Sequence, residues 1–385
     1  MIIRSLIARK ILNSSSNYTI EIEIETTKGK FYASVPSGTS KGSAEIQEFA
    51  KDDVEYCVDA INRNMSEVMK NYVVNDLSVL NEIEKIFKKY GGNSVLAVEY
   101  AIIKAMASEM GVPEYLLINN NSVSMPNILS NVIGGGSHSF GNGPEFQEFL
   151  ITCLNPDNIR QAVAINSLAY SMLQKKIKVF GRNQENALIT NLSNEKSLSE
   201  LSSIVSEIAD KTKKRVVLGA DVAANHFFKS GSYTINNRKL SKSKYMDYLI
   251  KLIDKYDIYY LEDAFSENDV KMFSELYSSV GKKCLICGDD LLATNPDKLK
   301  KALNMNYGNS AIVKPNQVGS LIKTGEFVEL CKKNRIIPIL SHRSQETEDS
   351  ILSHLAVAYR CPFMKIGIAG SERTSKLNEL FRIFK

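Results

Sequence analysis

One repeating unit constrains the fold of this 385-residue chain more than any other feature. From residue 215 onward, a short apolar run closed by polar residues alternates with an amphipathic segment, six runs in succession. The runs are RVVLGAD, IYYLED, CLICGDD, AIVKPNQ, IIPILSHRS and FMKIG, and their polar ends are Asp221, Glu262, Asp289, Lys314, His342 and Lys365. These ends lie 41, 27, 25, 28 and 23 residues apart, enough each time for one strand, one helix and two loops. Near-continuous apolar strands alternating with helices mean a parallel sheet buried on both faces. The helices are legible too: Tyr245, Leu249, Leu252 and Ile253 share one face, and Asn295-Pro296 supplies an N-cap with proline at the first helical position. Six units in register favour a closed barrel, which carries its chemistry at the C-terminal strand ends. An open doubly wound sheet is the alternative, but no Gly-rich phosphate fingerprint follows an early strand.

The first part of the chain has another rhythm. Residues 1 to about 35 alternate as strands, and from about 44 to 116 apolar residues recur at threes and fours until Gly111-Val112-Pro113 stops the pattern. The expected architecture is α/β: a TIM-like βα-barrel over residues 123–385, preceded by an α+β capping domain over residues 1–122.

A net charge of +5 on scattered lysines is too weak to argue for nucleic acid and suits an anionic metabolite. No apolar run reaches the ~18–20 residues of a membrane span, and MIIRSLIARK has no signal-peptide core, so a soluble cytoplasmic protein is expected. The one close cysteine pair, Cys284 and Cys287, lies in an apolar strand where residues three apart point to opposite faces, so ordinary packing is expected.

In a barrel, Asp221, Glu262 and Asp289 converge from three neighbouring strands. Such carboxylates repel unless a cation sits among them, and oxygen-only ligands suit a hard ion such as magnesium. Lys314 and Lys365 follow from the next strands; a lysine beside a bound dication has its ammonium form disfavoured and can act as a base near neutral pH. His342-Arg343-Ser344 offers a cation and a hydroxyl to an anionic group, the arginine bidentately. A single acid at a strand end is ordinarily a cap or a surface charge. It is the common register that points to a site.

These residues carry a resemblance. VPSGTSKG (35–42), NVIGGGSHS (131–139), QEFL (147–150), LGADVAANHFF (218–228), YLEDAF (260–265), GDDLLATNP (288–296), VKPNQVGS (313–320), SHRSQETED (341–349) and KIGIAGSER (365–373) resemble the enolase family, in the family's order and over nearly the whole chain. The resemblance implies reversible dehydration of 2-phosphoglycerate to phosphoenolpyruvate with two magnesium ions per site. Asp221, Glu262 and Asp289 would then hold the first ion, and Ser40, on a closing loop, the second. Lys314 would remove the C2 proton, and Lys365 would face the substrate carboxylate. Arg343 and Ser344, beside His342, would hold the phosphate, Glu148 would lie near the leaving hydroxyl, and His138 would close over the substrate.

The chain departs from the family pattern in places. The family's acid loop GDEGGFAPN is matched by GRNQENALITN, which puts Glu185 on the general acid but replaces both glycines by Asn186 and Ala187. NSSSNYT stands for DSRGNPT, so Ser15 replaces an arginine of the family's dimer contact. A homo-oligomer acting on a small phosphorylated carboxylate, with no nucleic-acid or membrane partner, is the expectation. A divergent enzyme making an enolate from another carboxylate, and a non-catalytic binding relative, are the alternatives.

Overall fold

The computed structural model describes residues 1–39, 42, 44–120, 123–136 and 143–385. The six runs found in the sequence are all strands, Arg215–Asp221, Ile258–Glu262, Leu285–Gly288, Ser310–Val313, Ile337–Ser341 and Phe363–Lys365, each paired in parallel with the next. Two earlier strands, Asn127–Gly134 and Glu148–Leu154, complete an eight-stranded barrel, closed where Phe363–Lys365 pairs in parallel with Asn127–Leu129. The closed alternative therefore holds, with one feature the repeat does not announce. Glu148–Leu154 runs antiparallel to both neighbours, so its first residue, not its last, lies at the rim where the other strands end.

Strand parity then sorts the side chains. Leu129, Leu150, Val217, Tyr260, Leu285, Cys287, Ile312, Ile339 and Phe363 pack together inside the barrel. Two residues further toward the rim on these strands stand Asn131, Glu148, Asp289, Lys314, Ser341 and Lys365, with Glu262 two beyond Tyr260 and Asp221 four beyond Val217. The fifth unit's equivalent position is thus Ser341, paired in register with Lys365, and not His342 as the repeat suggested. Cys284 packs in the outer core and Cys287 in the barrel interior, as expected for residues three apart, and all six cysteines are free and buried.

Ahead of the barrel, Ser5–Leu12, Tyr18–Thr26 and Gly29–Ser34 form an antiparallel meander. Helices Val54–Met69, Leu80–Phe87, Gly92–Met110 and Glu114–Ile118 follow. The first starts about ten residues later than its period suggested, because Asp53 caps it by accepting from the N–H groups of Glu55 and Tyr56. Gly92–Met110 is buried on almost every face, as its nearly all-round apolar sequence requires. Among the described residues no helix is long and apolar enough to cross a membrane.

Asp349 ties the two parts together. Its carboxylate accepts from Lys104 Nζ at 2.7 Å, from the Ser34 N–H at 3.0 Å and from the Ile351 N–H at 2.9 Å. Burial alone would raise the Asp349 carboxyl, but the Lys104 charge and these hydrogen bonds outweigh it and hold the pKa below its ordinary value. Removing one partner of such a buried pair costs about 3–5 kcal/mol. Asp349→Asn should lower stability toward that scale at neutral pH, read from urea unfolding. A depressed carboxyl stabilises above its unfolded pKa of about 4 and loses that contribution as pH falls through the lower folded value, so the gap between the two proteins should close in acid.

Candidate active site

The barrel rim gathers buried charge of both signs. Lys365 Nζ lies 2.9 Å from Glu148 Oε2, 3.0 Å from Asp221 Oδ2 and 2.7 Å from Glu262 Oε2. Register explains the meeting: Asp221 pairs with Glu148 on one side and Glu262 on the other. Lys314 Nζ bonds Asp289 Oδ2, and Gln317 Nε2 donates to Asp289 Oδ1 at 2.9 Å. A cavity is lined by Glu148, Glu185, Asp221, Lys314, Arg343 and Lys365, among others.

Burial sets the proton affinities. Burial, then the neighbouring Asp221 charge, lifts the Glu262 carboxyl to about 8. Burial and the adjacent Glu185 push Glu148 well above the usual carboxylate range. Burial works against the ammonium of Lys365, but Asp221, Glu148 and Glu262 more than offset it and the pKa rises. The same holds for Lys314, where Asp289 outweighs burial. The Asp289 carboxylate that Lys314 touches is the reason its ammonium form is favoured in this arrangement.

The expected metal-ligating residues share the rim, but their oxygens face the two lysine amines. The described acids whose ligand oxygens all come within 4.8 Å of one another are instead Asp263, Asp289 and Asp290. Asp263 spends its carboxylate on the backbone N–H groups of Asp289 and Asp290, at 2.9 Å each, so it orients Asp289. Among the described residues Glu262 Oε1 is buried without a hydrogen-bond partner. An orphaned carboxylate oxygen beside the charges of Asp221 and Asp289 fits a hard divalent cation.

Arg343 does not present an open fork. Both its terminal nitrogens bond the Glu45 carboxylate, at 3.0–3.2 Å, and Nη1 donates to Asn316 Oδ1 at 2.8 Å. Gly38 lies so close to the guanidinium that a methyl group there would collide with it. The Ser344 hydroxyl accepts from the Thr39 N–H at 2.8 Å. The segment before the first helix therefore lies across the expected anion grip. Ser40 and His138 fall outside the described residues.

The turn that carries Glu185 is well formed with Asn186 and Ala187 at its tip. Gly181–Arg182 and Leu188–Ile189 form a two-stranded ribbon that pairs onto Ile133 and Gly134 of the first barrel strand, so residues 183–187 are its tip. Asn183 Oδ1 accepts from the N–H groups of Glu185 and Ala187, both at 2.9 Å. Asn186 adopts φ +60°, a left-handed conformation that asparagine tolerates better than other side chains, and so does what a glycine would do. Glu185 is buried, accepts from Asn131 Nδ2 at 3.0 Å and lies 3.9 Å from His342 Nε2.

Sequence reasoning missed Glu45, Asn131, Asp263, Gln317 and Arg373. The doublets Glu262-Asp263 and Asp289-Asp290 were a usable signal, since parity turns the second acid of each away from the barrel axis and toward the backbone. Nothing local pointed to Glu45, which meets Arg343 across 298 residues.

Two family models match the chain: one described as "Enolase, N-terminal domain" over residues 3–118, the other as "Enolase, C-terminal TIM barrel domain" over residues 122–385. The enolase of Methanosphaera stadtmanae is 37% identical, covering 99% of this chain and 96% of its own length. That of Methanothermobacter thermautotrophicus is 36% identical over the same shares, and that of Archaeoglobus fulgidus 34% identical over 100% of this chain and 97% of its own.

The turn yields a test. Asn186→Gly, which keeps the left-handed backbone but loses the side-chain bond to Glu372, should cost about 1 kcal/mol, and Asn186→Val a further ~1–2 kcal/mol, the cost of a left-handed residue with a branched side chain, in chemical denaturation.

Proposed function

The chain belongs to the enolase family, and from that premise we propose how its rim residues divide the work. It is a phosphopyruvate hydratase, a hydro-lyase that reversibly dehydrates 2-phosphoglycerate to phosphoenolpyruvate. The observation that carries the assignment of roles is the pairing of two buried lysines, on different strands, with carboxylates of their neighbours at one rim.

Members of this family depend on a divalent metal ion. We take it to be magnesium, two per site, with Asp221, Glu262 and Asp289 holding the first and Ser40 contributing to the second. When bound, it supplies positive charge to the substrate carboxylate, where negative charge develops as the C2 proton leaves. Lys365 aims a buried ammonium at the same oxygens. Lys314 takes the C2 proton as a free amine, a form it reaches once Asp289 directs its charge elsewhere. Arg343, with Ser344 and His342, receives the phosphate by exchanging the Glu45 carboxylate for a phosphate oxygen pair, since a guanidinium fork accommodates either. Glu185 delivers a proton to the leaving hydroxyl while Glu148, whose carboxyl burial pushes upward, lies within reach of the same group. His138 closes over the substrate and, with the segment near residue 40, excludes water.

Residues 1–122 supply the closing segment in this proposal and residues 123–385 the catalytic rim. A cytoplasmic homo-oligomer that dispenses with arginine at position 15, binding neither nucleic acid nor membrane, completes it.

Purified protein with magnesium and 2-phosphoglycerate should generate the ultraviolet absorbance of phosphoenolpyruvate, and Lys314→Ala should abolish it. Unchanged activity in that variant would remove Lys314 from the chemistry. Burial and the adjacent Glu185 push the Glu148 carboxyl upward, which favours a second reading with Glu148 as the acid. Glu185→Gln should cost more than about a hundredfold in kcat, since acid catalysis commonly contributes ~10²–10⁴. A loss below about tenfold, with Glu148→Gln inactive, would transfer the role to Glu148.

A further inference from the structure

Arg373 is completely buried, yet it lines no part of the cavity described above. It stands in the first turn of helix Ser371–Ile383 and sends its guanidinium back across the barrel rim. Nε donates to His342 Nδ1 at 3.1 Å, and Nη2 donates to the carbonyl oxygens of Arg343 at 3.3 Å and Ser344 at 3.0 Å. Nη1 bonds Glu372 Oε1, an oxygen that also accepts from Asn186 Nδ2 at 3.1 Å. The backbone makes room for this path at Gly367, where a methyl group would stand 2.7 Å from Arg373 Cδ and 2.9 Å from the Glu185 carbonyl oxygen.

We propose that Arg373 is a positioning residue for the dehydration, fixing His342 as its Nε2–H tautomer and tying the acid turn 183–187 to the phosphate-side loop 342–344. The argument is one of donors and acceptors. A guanidinium has no lone pair to offer and is not deprotonated in proteins, so His342 Nδ1 must be the acceptor. In the neutral imidazole the proton then belongs to Nε2. That nitrogen faces Glu185 Oε2, which also accepts from Asn131. At 3.9 Å the ring is beyond direct hydrogen-bond length from that oxygen, so the fixed tautomer sets the polarity that the imidazole presents to Glu185. The second branch, Arg373 to Glu372 to Asn186, holds the turn that carries Glu185. Asn186 thus has two tasks here: its backbone accepts the left-handed conformation and its side-chain amide closes the ring. The kinetic part of this inference rests on the assignment of Glu185 as the acid; the tautomer does not.

The test joins a spectroscopic and a kinetic measurement on the full chain with magnesium. The protein has four histidines, so ¹⁵N-histidine spectra compared with His342→Gln identify the His342 ring unambiguously. The wild-type ring should show a protonated Nε2 and an unprotonated Nδ1, and Arg373→Met should give a mixture of tautomers. The same variant should lose about a hundredfold in kcat on 2-phosphoglycerate, the scale of a roughly 1 Å misplacement of a catalytic group, with KM changed less than about threefold. Arg373→Lys, which keeps the positive charge but gathers its donors on one nitrogen, should recover part of kcat. A protonated Nδ1 in the wild-type ring, which needs no variant, would overturn the proposal. So would an unchanged tautomer in a folded Arg373→Met protein, or a shifted tautomer with full kcat. If Glu185→Gln is fully active while the His342 tautomer is as stated, it is the acid assignment that fails, and with it the kinetic half alone.

Discussion

Buried charge that must be balanced in place governs this molecule. An ammonium inside a protein carries a desolvation cost of several kcal/mol, which only well-placed counter-charges offset. Lys365 has three carboxylates within 3.0 Å and Lys314 is paired with Asp289. The acids outnumber the two lysines: Glu148 and Asp221 share the cavity with a third acid, Glu185, Glu262 and Asp289 stand against the lysine amines, and Arg343 is matched separately by Glu45. Burial expresses the surplus by lifting Glu148 and Glu262 toward their neutral forms. A surplus of buried carboxylate at the rim favours a further cation there.

The barrel is what delivers those groups to one place. Alternation along each strand commits one residue to the apolar interior and the one two positions on to the rim, so Leu285, Cys287 and Asp289 are successive decisions of a single strand. The antiparallel strand obeys the same parity from the opposite direction, which is why Glu148 serves from its start. The ribbon around residues 181–189 then adds Glu185 from outside the strand set, anchored to the first strand and to Asn183.

A second set of contacts determines how the site is covered. Asp349 joins the helix carrying Lys104 to the barrel, and Glu45 reaches the Arg343 guanidinium from the segment ahead of the first helix. The guanidinium proposed to hold the phosphate is thus matched by a carboxylate of the chain itself. Arg373 lies underneath, holding the two loops that flank the cavity.

The sequence by itself determined the repeat, and with it the barrel, the rim position of Asp221, Glu262, Asp289, Lys314 and Lys365, and the family, because strand alternation and helix period are local properties written residue by residue. The same local logic shows its limit at His342, one residue past the strand position that Ser341 holds, since a one-residue difference in register changes the face. Tertiary structure alone decided the direction of Glu148–Leu154, the partner of Arg343, the ring from Asn186 through Glu372 and Arg373 to His342, and the pairing of Lys314 with Asp289. Each of these depends on groups brought together across tens to hundreds of residues, and the energy of a buried charge depends on what surrounds it in space rather than on what precedes it in the chain.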